Sequence, residues 1–186
     1  TNSIRNVVLA SYAGAGKTSL AEAMVYSAGI IPSMGSSSSG NLIGDFEPEE
    51  VNNHHSMSTA IFDYNFRDTI CNIMDTPGSS DFFSDTKCSL HVADGVVLVI
   101  GASGIRSELD RVWEYVQEQE IPSIIFVNEL DKERTSFEVA LEEIEKTLGE
   151  KMAVHRLVLG VRGRRKWYQM KAGYLIPLLR DRIRIW

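Results

Sequence analysis

Near the start of the chain, glycines, a lysine and a threonine follow one another at a characteristic spacing. The segment Ser11–Thr18 reads Ser-Tyr-Ala-Gly-Ala-Gly-Lys-Thr. It fits the pattern G-x-x-x-x-G-K-[S/T], except that Ser11 takes the place of the first glycine. Glycines let successive backbone N–H groups turn inward around an anion, and a helix that begins there adds about half a positive charge. The spacing therefore predicts a loop that cradles phosphates.

Within this segment, two side chains have chemistry that suits a polyphosphate. The ammonium group of Lys17 would reach the β- and γ-phosphates, and the Thr18 hydroxyl would bind Mg²⁺. The alternative is a tight strand–helix turn with an exposed lysine. A phosphate loop alone does not distinguish a kinase, an ATPase and a GTPase. The residues predicted to line the phosphates are Gly14, Ala15, Gly16, Lys17, Thr18 and Ser19.

A second motif, Asp75-Thr76-Pro77-Gly78, begins 58 residues after Lys17 and ends a predicted strand. A carboxylate at that point lies at the C-terminal edge of a parallel sheet, where ligands bind in this architecture. Asp75 would hold Mg²⁺ through water. Gly78 has no side chain to block its N–H from a terminal phosphate, so this loop can sense the γ-phosphate.

A third motif, Asn128-Glu129-Leu130-Asp131, follows the predicted buried strand over residues 124–127. The Asp131 carboxylate can accept two hydrogen bonds from guanine N1 and N2. Adenine lacks that pair of donors, so an unpaired carboxylate would discriminate against it by about 1–3 kcal/mol. Asn128 would brace the phosphate loop and touch the base. The motif predicts a guanine nucleotide.

Short β-branched runs alternate with amphipathic segments along the chain, which predicts a mostly parallel sheet with helices on both faces. Residues 32–57 are rich in Ser, Gly and Asn and predict a long mobile loop. A capping box of Thr135 with Glu138 predicts the start of the last helix, and Gly149 its end. The predicted strands are 7–10, 58–64, 69–75, 96–100, 124–127 and one within 153–161, and the predicted helices are 17–28, 82–92, a stripe over 109–116 and 137–148.

Composition favours a globular protein of 186 residues and 20.8 kDa, with 44% hydrophobic and 24% charged residues. The longest apolar run, around Val96–Ala102, is far shorter than the roughly 20 residues of a membrane helix. With no signal pattern at the N-terminus, the expected compartment is the cytoplasm. Cys71 and Cys88 are expected to be reduced, buried thiols.

The net charge of −6 is unevenly distributed. Residues 1–150 carry 9 basic and 24 acidic side chains, whereas residues 151–186 carry 10 basic and 1 acidic. Such a change marks a boundary or a segment of different origin. We therefore predict a domain over 1–150 followed by a basic C-terminal tail or divergent last elements over 151–186.

Together, the three motifs resemble the GTPase domain of translational GTPases, and most closely that of elongation factor G and elongation-factor-G-like proteins. The resemblance runs from about Ile4 to Gly149, and Gly44–Glu50 is similar to the family's first switch loop. It implies a three-layer P-loop NTPase fold, here a truncated G domain. It also implies that the domain binds GTP or GDP with Mg²⁺ and, within a full-length factor, works on the ribosome.

The resemblance also assigns roles to individual residues. Ser56 stands where the family usually has a threonine that binds Mg²⁺, so the implied metal ligands are Thr18, Ser56 and Asp75. Lys17 and Gly78 contact the phosphates, Asn128 and Asp131 read guanine, and the residues implied in catalysis are Lys17, Gly78 and Ser79.

Three positions depart from the family pattern. Ser79 replaces the histidine that orients the attacking water, so we expect slow hydrolysis. Glu129 replaces a lysine that covers the base, so we expect weaker nucleotide binding unless the side chain turns to solvent at little cost. Gly14 replaces a common aspartate. His54 and His55 are expected to be exposed loop residues that do not replace the histidine.

The tail departs furthest, since the Ser-Ala base-contacting loop and final helix of the family are not recognisable after Gly149. Three interpretations of residues 151–186 remain: a continuation foreign to the family, a divergent cap, or a basic RNA-contacting tail. In the last, Trp167 and Tyr168 would stack on bases beside Arg164, Arg165 and Lys166.

Our hypothesis is a GTPase domain that contacts no membrane. Three rivals remain: a guanine-nucleotide-binding module with little or no hydrolysis, a phosphate-loop ATPase or nucleotide kinase, and an RNA-binding piece acting through the tail.

Overall fold

A six-stranded sheet with the order β2-β3-β1-β4-β5-β6 forms the centre of the domain. The structure is a computed structural model and describes residues 3–36, 39–44, 46–53, 55–66, 68–133, 135–149 and 157–159. The strands are β1 (Ser3–Ala10), β2 (Ala60–Phe66), β3 (Thr69–Asp75), β4 (Gly95–Gly101), β5 (Ser123–Asn128) and β6 (Leu157–Leu159). Every neighbouring pair is parallel except β2 with β3.

Five α-helices occur in the described part of the chain, with a 3₁₀ turn at Ser80–Phe82. They are α1 (Lys17–Ser27), α2 (Pro48–Asn53), α3 (Phe83–His91), α4 (Glu108–Glu118) and α5 (Phe137–Leu148). None of these helices has the length and apolar character needed to cross a membrane.

Alternating side chains of the central strands enter two hydrophobic clusters on opposite faces of the sheet. Val8 and Ala10 of β1 pack in a large cluster with Leu109, Val112 and other residues of α3, α4 and α5. Leu9 packs with Ala21 of α1 in a smaller cluster. The period of two along a strand sends neighbouring side chains to opposite faces. The predicted three-layer α/β class is confirmed.

The strand register places the predicted motifs at one edge of the sheet. Leu9 of β1 is level with Asp75 of β3, and Gly101 of β4 is level with Asn128 of β5. Because these strands are parallel, their carboxyl ends meet at the same edge, and the loops that follow them converge there.

Several local predictions were wrong. The segment over 32–57 contains a short helix, α2, instead of loop alone. The last helix is capped by Ser136, whose Oγ accepts a hydrogen bond from Val139 N at 3.5 Å, and the Thr135 hydroxyl instead donates to Lys132 O. The cap lies one residue later because Ser136 has the extended backbone that an N-cap needs. Gly149 ends the helix as predicted, with φ 74°.

The cysteine prediction was half right. Cys71 and Cys88 are both free thiols, but only Cys71 is buried. Cys88 lies on an exposed position of α3, since the buried face of that helix carries Thr86, Ser89 and Leu90. His55 is exposed as expected, whereas His54 and the tail over 151–186, apart from Leu157–Leu159, lie outside the described residues.

Candidate guanine-nucleotide site

The phosphate loop joins the end of β1 to the start of α1. Gly14 and Gly16 have φ angles of 83° and 89°, which favour glycine. Asn128 Nδ2 donates to Ala15 O at 2.9 Å, and a Cβ built on Gly16 would collide with that amide nitrogen. Asn128 therefore braces the loop from the end of β5, and it does so by occupying the space that a side chain at Gly16 would need.

Lys17 is buried in this loop, with only 6% of its surface exposed. Its Nζ donates to Tyr12 O at 2.9 Å. Burial lowers the pKa of Lys17 to about 8, although the nearby Asp75 carboxylate acts in the opposite direction. An anion placed beside Nζ would stabilise the charged form further, so the group is suited to a phosphate.

The loop after β3 packs directly on the phosphate loop. Thr76 Oγ1 donates to Leu9 O at 2.8 Å, and Thr86 Oγ1 donates to Pro77 O at 3.1 Å. A Cβ built on Gly78 would lie 2.5 Å from Lys17 Nζ. The same Cβ would lie 2.5 Å from Ala13 N and 2.6 Å from Tyr12 C, so the backbone of the phosphate loop leaves room only for glycine at position 78.

Three oxygen-bearing side chains predicted as metal ligands meet beside this loop. Thr18 Oγ1 and Ser56 Oγ are 3.2 Å apart, across 38 residues of sequence. Asp75 is 1% exposed. A Cβ built on Gly44 would lie 3.1 Å from Thr18 Cγ2 and 3.7 Å from Asp75 Oδ2, so Gly44 lies beside both residues. Hydroxyl and carboxylate oxygens are the donors that Mg²⁺ prefers, so the donor set fits that ion. Ser19, which follows Thr18, is exposed.

Ser79 caps the 3₁₀ turn that follows Gly78. Its backbone is extended, and its Oγ accepts a hydrogen bond from Asp81 N at 3.4 Å. The Ser79 hydroxyl thus forms a hydrogen bond within the turn that it caps.

The other end of the site lies after β5. Asp131 is exposed in the turn that follows the strand. Glu129 has a φ of 64°, and its Oε1 forms an ion pair with Lys132 Nζ at 2.7 Å. The Glu129 side chain is only 18% exposed, and a Cβ built on Gly101 would lie 2.9 Å from its Oε2. The alternative in which Glu129 turns to solvent is therefore wrong.

Tyr12 is a site residue that the sequence analysis missed. Its hydroxyl donates to Gly104 O at 2.8 Å and accepts from Gly101 N at 2.9 Å. Burial raises the pKa of Tyr12, and the Glu129 carboxylate adds to the effect despite the opposing hydrogen bond from Gly101. The sequence feature that could have indicated this role is a large aromatic residue within a glycine-rich loop.

Two buried glutamates that organise the segment between α1 and β2 were also missed. Glu22 of α1 accepts hydrogen bonds from Gly35 N at 2.8 Å and Ile43 N at 2.9 Å. Glu50 of α2 accepts from Met57 N at 2.7 Å and is fully buried. Burial raises the pKa of Glu50, but its several hydrogen bonds outweigh that effect and hold the pKa below the usual range. For Glu22, the signal was a carboxylate beside the apolar positions of α1.

A mostly parallel sheet with a lysine-bearing glycine loop at its carboxyl edge defines the class of P-loop nucleotide-binding domains. The chain belongs to the family of the elongation factor Tu GTP binding domain, whose model matches residues 2–174. The predicted GTP-binding domain of the elongation-factor-G type is thereby confirmed, and the rival of an ATPase or nucleotide kinase is wrong.

Named relatives agree with this assignment. Ribosome-releasing factor 2, mitochondrial, of Culex quinquefasciatus is 35% identical over 147 residues, which are 78% of this chain and 20% of that protein. Elongation factor G 2 of Borreliella afzelii is 34% identical over 143 residues, which are 76% of this chain and 21% of that protein. The chain thus spans about a fifth of the length of the curated relatives it matches.

Solved structures share the fold. A protein of Thermus thermophilus superposes with a TM-score of 0.75 at 29% identity, over 80% of this chain and 23% of its own. The bacterial selenocysteine-specific elongation factor EF-Sec has a TM-score of 0.65 at 20% identity, over 86% of this chain and 25% of its own, and shows the likeness of fold alone.

Proposed function

We propose that this domain binds GTP together with Mg²⁺ and hydrolyses it to GDP and phosphate, slowly when isolated. The observation that carries the proposal is the convergence of Lys17, Gly78 and the Thr18–Ser56 hydroxyl pair at one edge of the sheet. These groups come from separate segments of the chain, and a polyphosphate–metal complex is the ligand that uses all of them.

In the proposal, the phosphates occupy the loop before α1. The backbone N–H groups from Gly14 to Ser19 point at the phosphate oxygens, and the start of the helix adds its partial positive charge. Lys17 exchanges its hydrogen bond with Tyr12 O for phosphate oxygens. Its burial makes that interaction strong, because few water molecules compete for the ammonium group.

The metal would be held by the oxygens of Thr18, Ser56 and Asp75, the last through water. When bound, Mg²⁺ neutralises charge on the phosphates. Two observations support this assignment: the Thr18 hydroxyl contacts that of Ser56, and Gly44 lies beside both Thr18 and Asp75.

Catalysis in this scheme depends on the loop that contains Gly78 and Ser79. The Gly78 N–H would donate to the γ-phosphate, and Ser79 would lie beside the attacking water. The Ser79 hydroxyl accepts from Asp81 N, which limits its freedom to orient that water. The same contact favours the second candidate function, a guanine-nucleotide-binding module with little or no hydrolysis.

At the other end, Asp131 would accept hydrogen bonds from guanine N1 and N2, with Asn128 fixed to the phosphate loop beside it. The contact of Asn128 with Ala15 supports this arrangement, because it ties the base-reading segment to the phosphate-binding one.

The larger protein would be a translation factor that acts on the ribosome in the cytoplasm. The names of two relatives, a ribosome-releasing factor and an elongation factor, support the translational part of this proposal. For residues 151–186 we propose divergent last elements of the domain, since the family match runs to residue 174 and Leu157–Leu159 extends the sheet. RNA contact by the tail would require affinity that falls steeply with salt and disappears on deletion of 151–186.

A single-turnover assay tests the proposal. The full chain would be mixed with GTP and Mg²⁺, phosphate release followed over hours, and a fluorescent GDP analogue titrated in parallel. Slow phosphate release that stops on addition of EDTA is expected. Binding of the analogue without phosphate release would favour the non-hydrolysing module, and absence of binding would contradict both candidates.

A further inference from the structure

The carboxylate of Glu50 joins both ends of the segment that carries Ser56. Its Oε2 accepts from Glu47 N at 3.2 Å, just before α2 begins. Its Oε1 accepts from Met57 N at 2.7 Å and Ser58 N at 3.1 Å, beyond the end of that helix. The Ser58 hydroxyl adds a weaker contact at 3.4 Å. One side chain therefore closes the loop from Glu47 to Ser58.

The short helix needs such support. Six residues are too few for a helix to be stable alone in water, and the contact of Glu50 with Glu47 N supplies the reach-back half of a capping box. The side chain is fully buried, whereas the adjacent Glu49 is exposed on the same helix. Two neighbouring glutamates thus have opposite environments.

The backbone at Met57, which Glu50 holds by a hydrogen bond, lies next to the candidate metal site. Its shortest hydrogen bond is to Met57 N, one peptide unit from Ser56, whose hydroxyl lies 3.2 Å from Thr18 Oγ1. Movement of Met57 would carry Ser56 away from Thr18. We propose that Glu50 is a positioning residue that holds Ser56 in reach of the Mg²⁺ ion, an inference that rests on the proposed function.

The test compares Glu50→Gln with Glu49→Gln in the full chain. A glutamine keeps the size of the side chain but loses the charge and one of its two accepting oxygens, so it cannot accept from both ends of the loop. Hydrogen exchange should show lost protection at Met57 and Ser58 in Glu50→Gln, with β3 unchanged. Glu49→Gln should match the parent chain.

The decisive measurement is release of a fluorescent, non-hydrolysable GTP analogue as a function of Mg²⁺ concentration, because contacts with the γ-phosphate and Mg²⁺ order the first switch loop of GTPases. Loss of a group that orients a metal ligand should raise the half-saturating Mg²⁺ concentration roughly tenfold or more. Affinity for the analogue in EDTA should stay within about twofold of the parent, because Lys17 and the phosphate loop are untouched. If Glu50 only supported the fold, the variant would lose affinity for Mg²⁺ and affinity for the analogue in EDTA together.

Two outcomes would overturn the inference. If the Mg²⁺ dependence of Glu50→Gln equals that of the parent chain, Glu50 does not position the ligand, whatever the exchange data show. If the parent chain itself shows no Mg²⁺ dependence, the proposed metal site fails first and the inference with it. Should Glu50→Gln not fold, Glu50→Asp carries the same test, since the shorter carboxylate cannot span Glu47 and Met57.

Discussion

The phosphate end and the base end of the candidate site are built in different ways. At the phosphate end, Lys17 and Asp75 are buried, and Asn128 and Thr76 fix the surrounding loops through backbone carbonyls. At the base end, Asp131 is exposed in a turn, and Glu129 pairs locally with Lys132. One end is part of the sheet edge, and the other lies on a loop beyond it.

This difference suggests a division of labour between affinity and selectivity. Groups that are buried and held before binding lose little entropy when a ligand arrives, so the phosphate end should supply most of the binding free energy. An exposed carboxylate contributes less, because water competes for it, but it still separates one base from another. Substitutions at the two ends should therefore have distinguishable signatures.

The largest effect is expected for Lys17→Met, which removes the ammonium group and keeps most of the apolar stem. Charge-assisted hydrogen bonds to phosphate are worth roughly 1.5–3 kcal/mol each, so affinities for GDP and GTP should both fall about 100-fold. Titration calorimetry measures this loss. The matched control is Lys146→Met in the exposed last turn of α5, which should bind as the parent does. Binding by Lys17→Met within a few-fold of the parent would refute the assignment.

Asp131→Asn should alter selectivity instead of abolishing binding. The asparagine amide donates a hydrogen bond where the carboxylate accepted one. The variant should therefore lose affinity for GDP by roughly tenfold or more and gain affinity for xanthosine diphosphate. Competition against a fluorescent GDP analogue measures both changes, with the exposed Glu133→Gln as the control. Equal losses for every nucleotide would show that Asp131 supports the fold of the loop and does not read the base.

The same contrast explains what the sequence could predict. Lys17, Asp75, Gly78, Asn128 and Asp131 occur in short motifs at strand ends, and a parallel sheet necessarily brings strand ends together. Their approximate placement therefore followed from pattern alone.

Glu22, Glu50 and Tyr12 could not be found in this way. Their side chains form hydrogen bonds with backbone groups 13 to 92 residues away or within an irregular segment, and no periodicity marks such partners. The cap of α5 was misplaced by one residue because threonine and serine are both common N-cap residues, and the extended backbone of Ser136 identifies the cap only in the structure.

The pH dependence of binding should reveal Lys17 at the phosphate end. Its pKa is lowered to about 8 in the unliganded protein, and phosphate would raise it, so binding takes up a proton above that pH. Affinity for GDP should fall about fourfold between about pH 7 and about pH 8.5 by linkage. Calorimetry in buffers of different ionisation enthalpy would detect the proton uptake near pH 8. A flat profile would show that Lys17 takes up no proton when the ligand binds.

The smallest effect is expected at Glu129, whose carboxylate lies near Gly101 and Tyr12 where the family usually has a lysine. Glu129→Lys removes the ion pair with Lys132 and adds a cation beside the phosphate loop. Since partly exposed charges are worth about 1 kcal/mol or less, GDP affinity should rise only about threefold. Glu133→Lys makes the same change of charge on an exposed position, so it separates a local contact from a general gain in positive charge. If both variants bind GDP more tightly by the same factor, the gain comes from net charge and not from a contact of residue 129. Asp131 would then be the residue of the base end that still distinguishes it from the phosphate end.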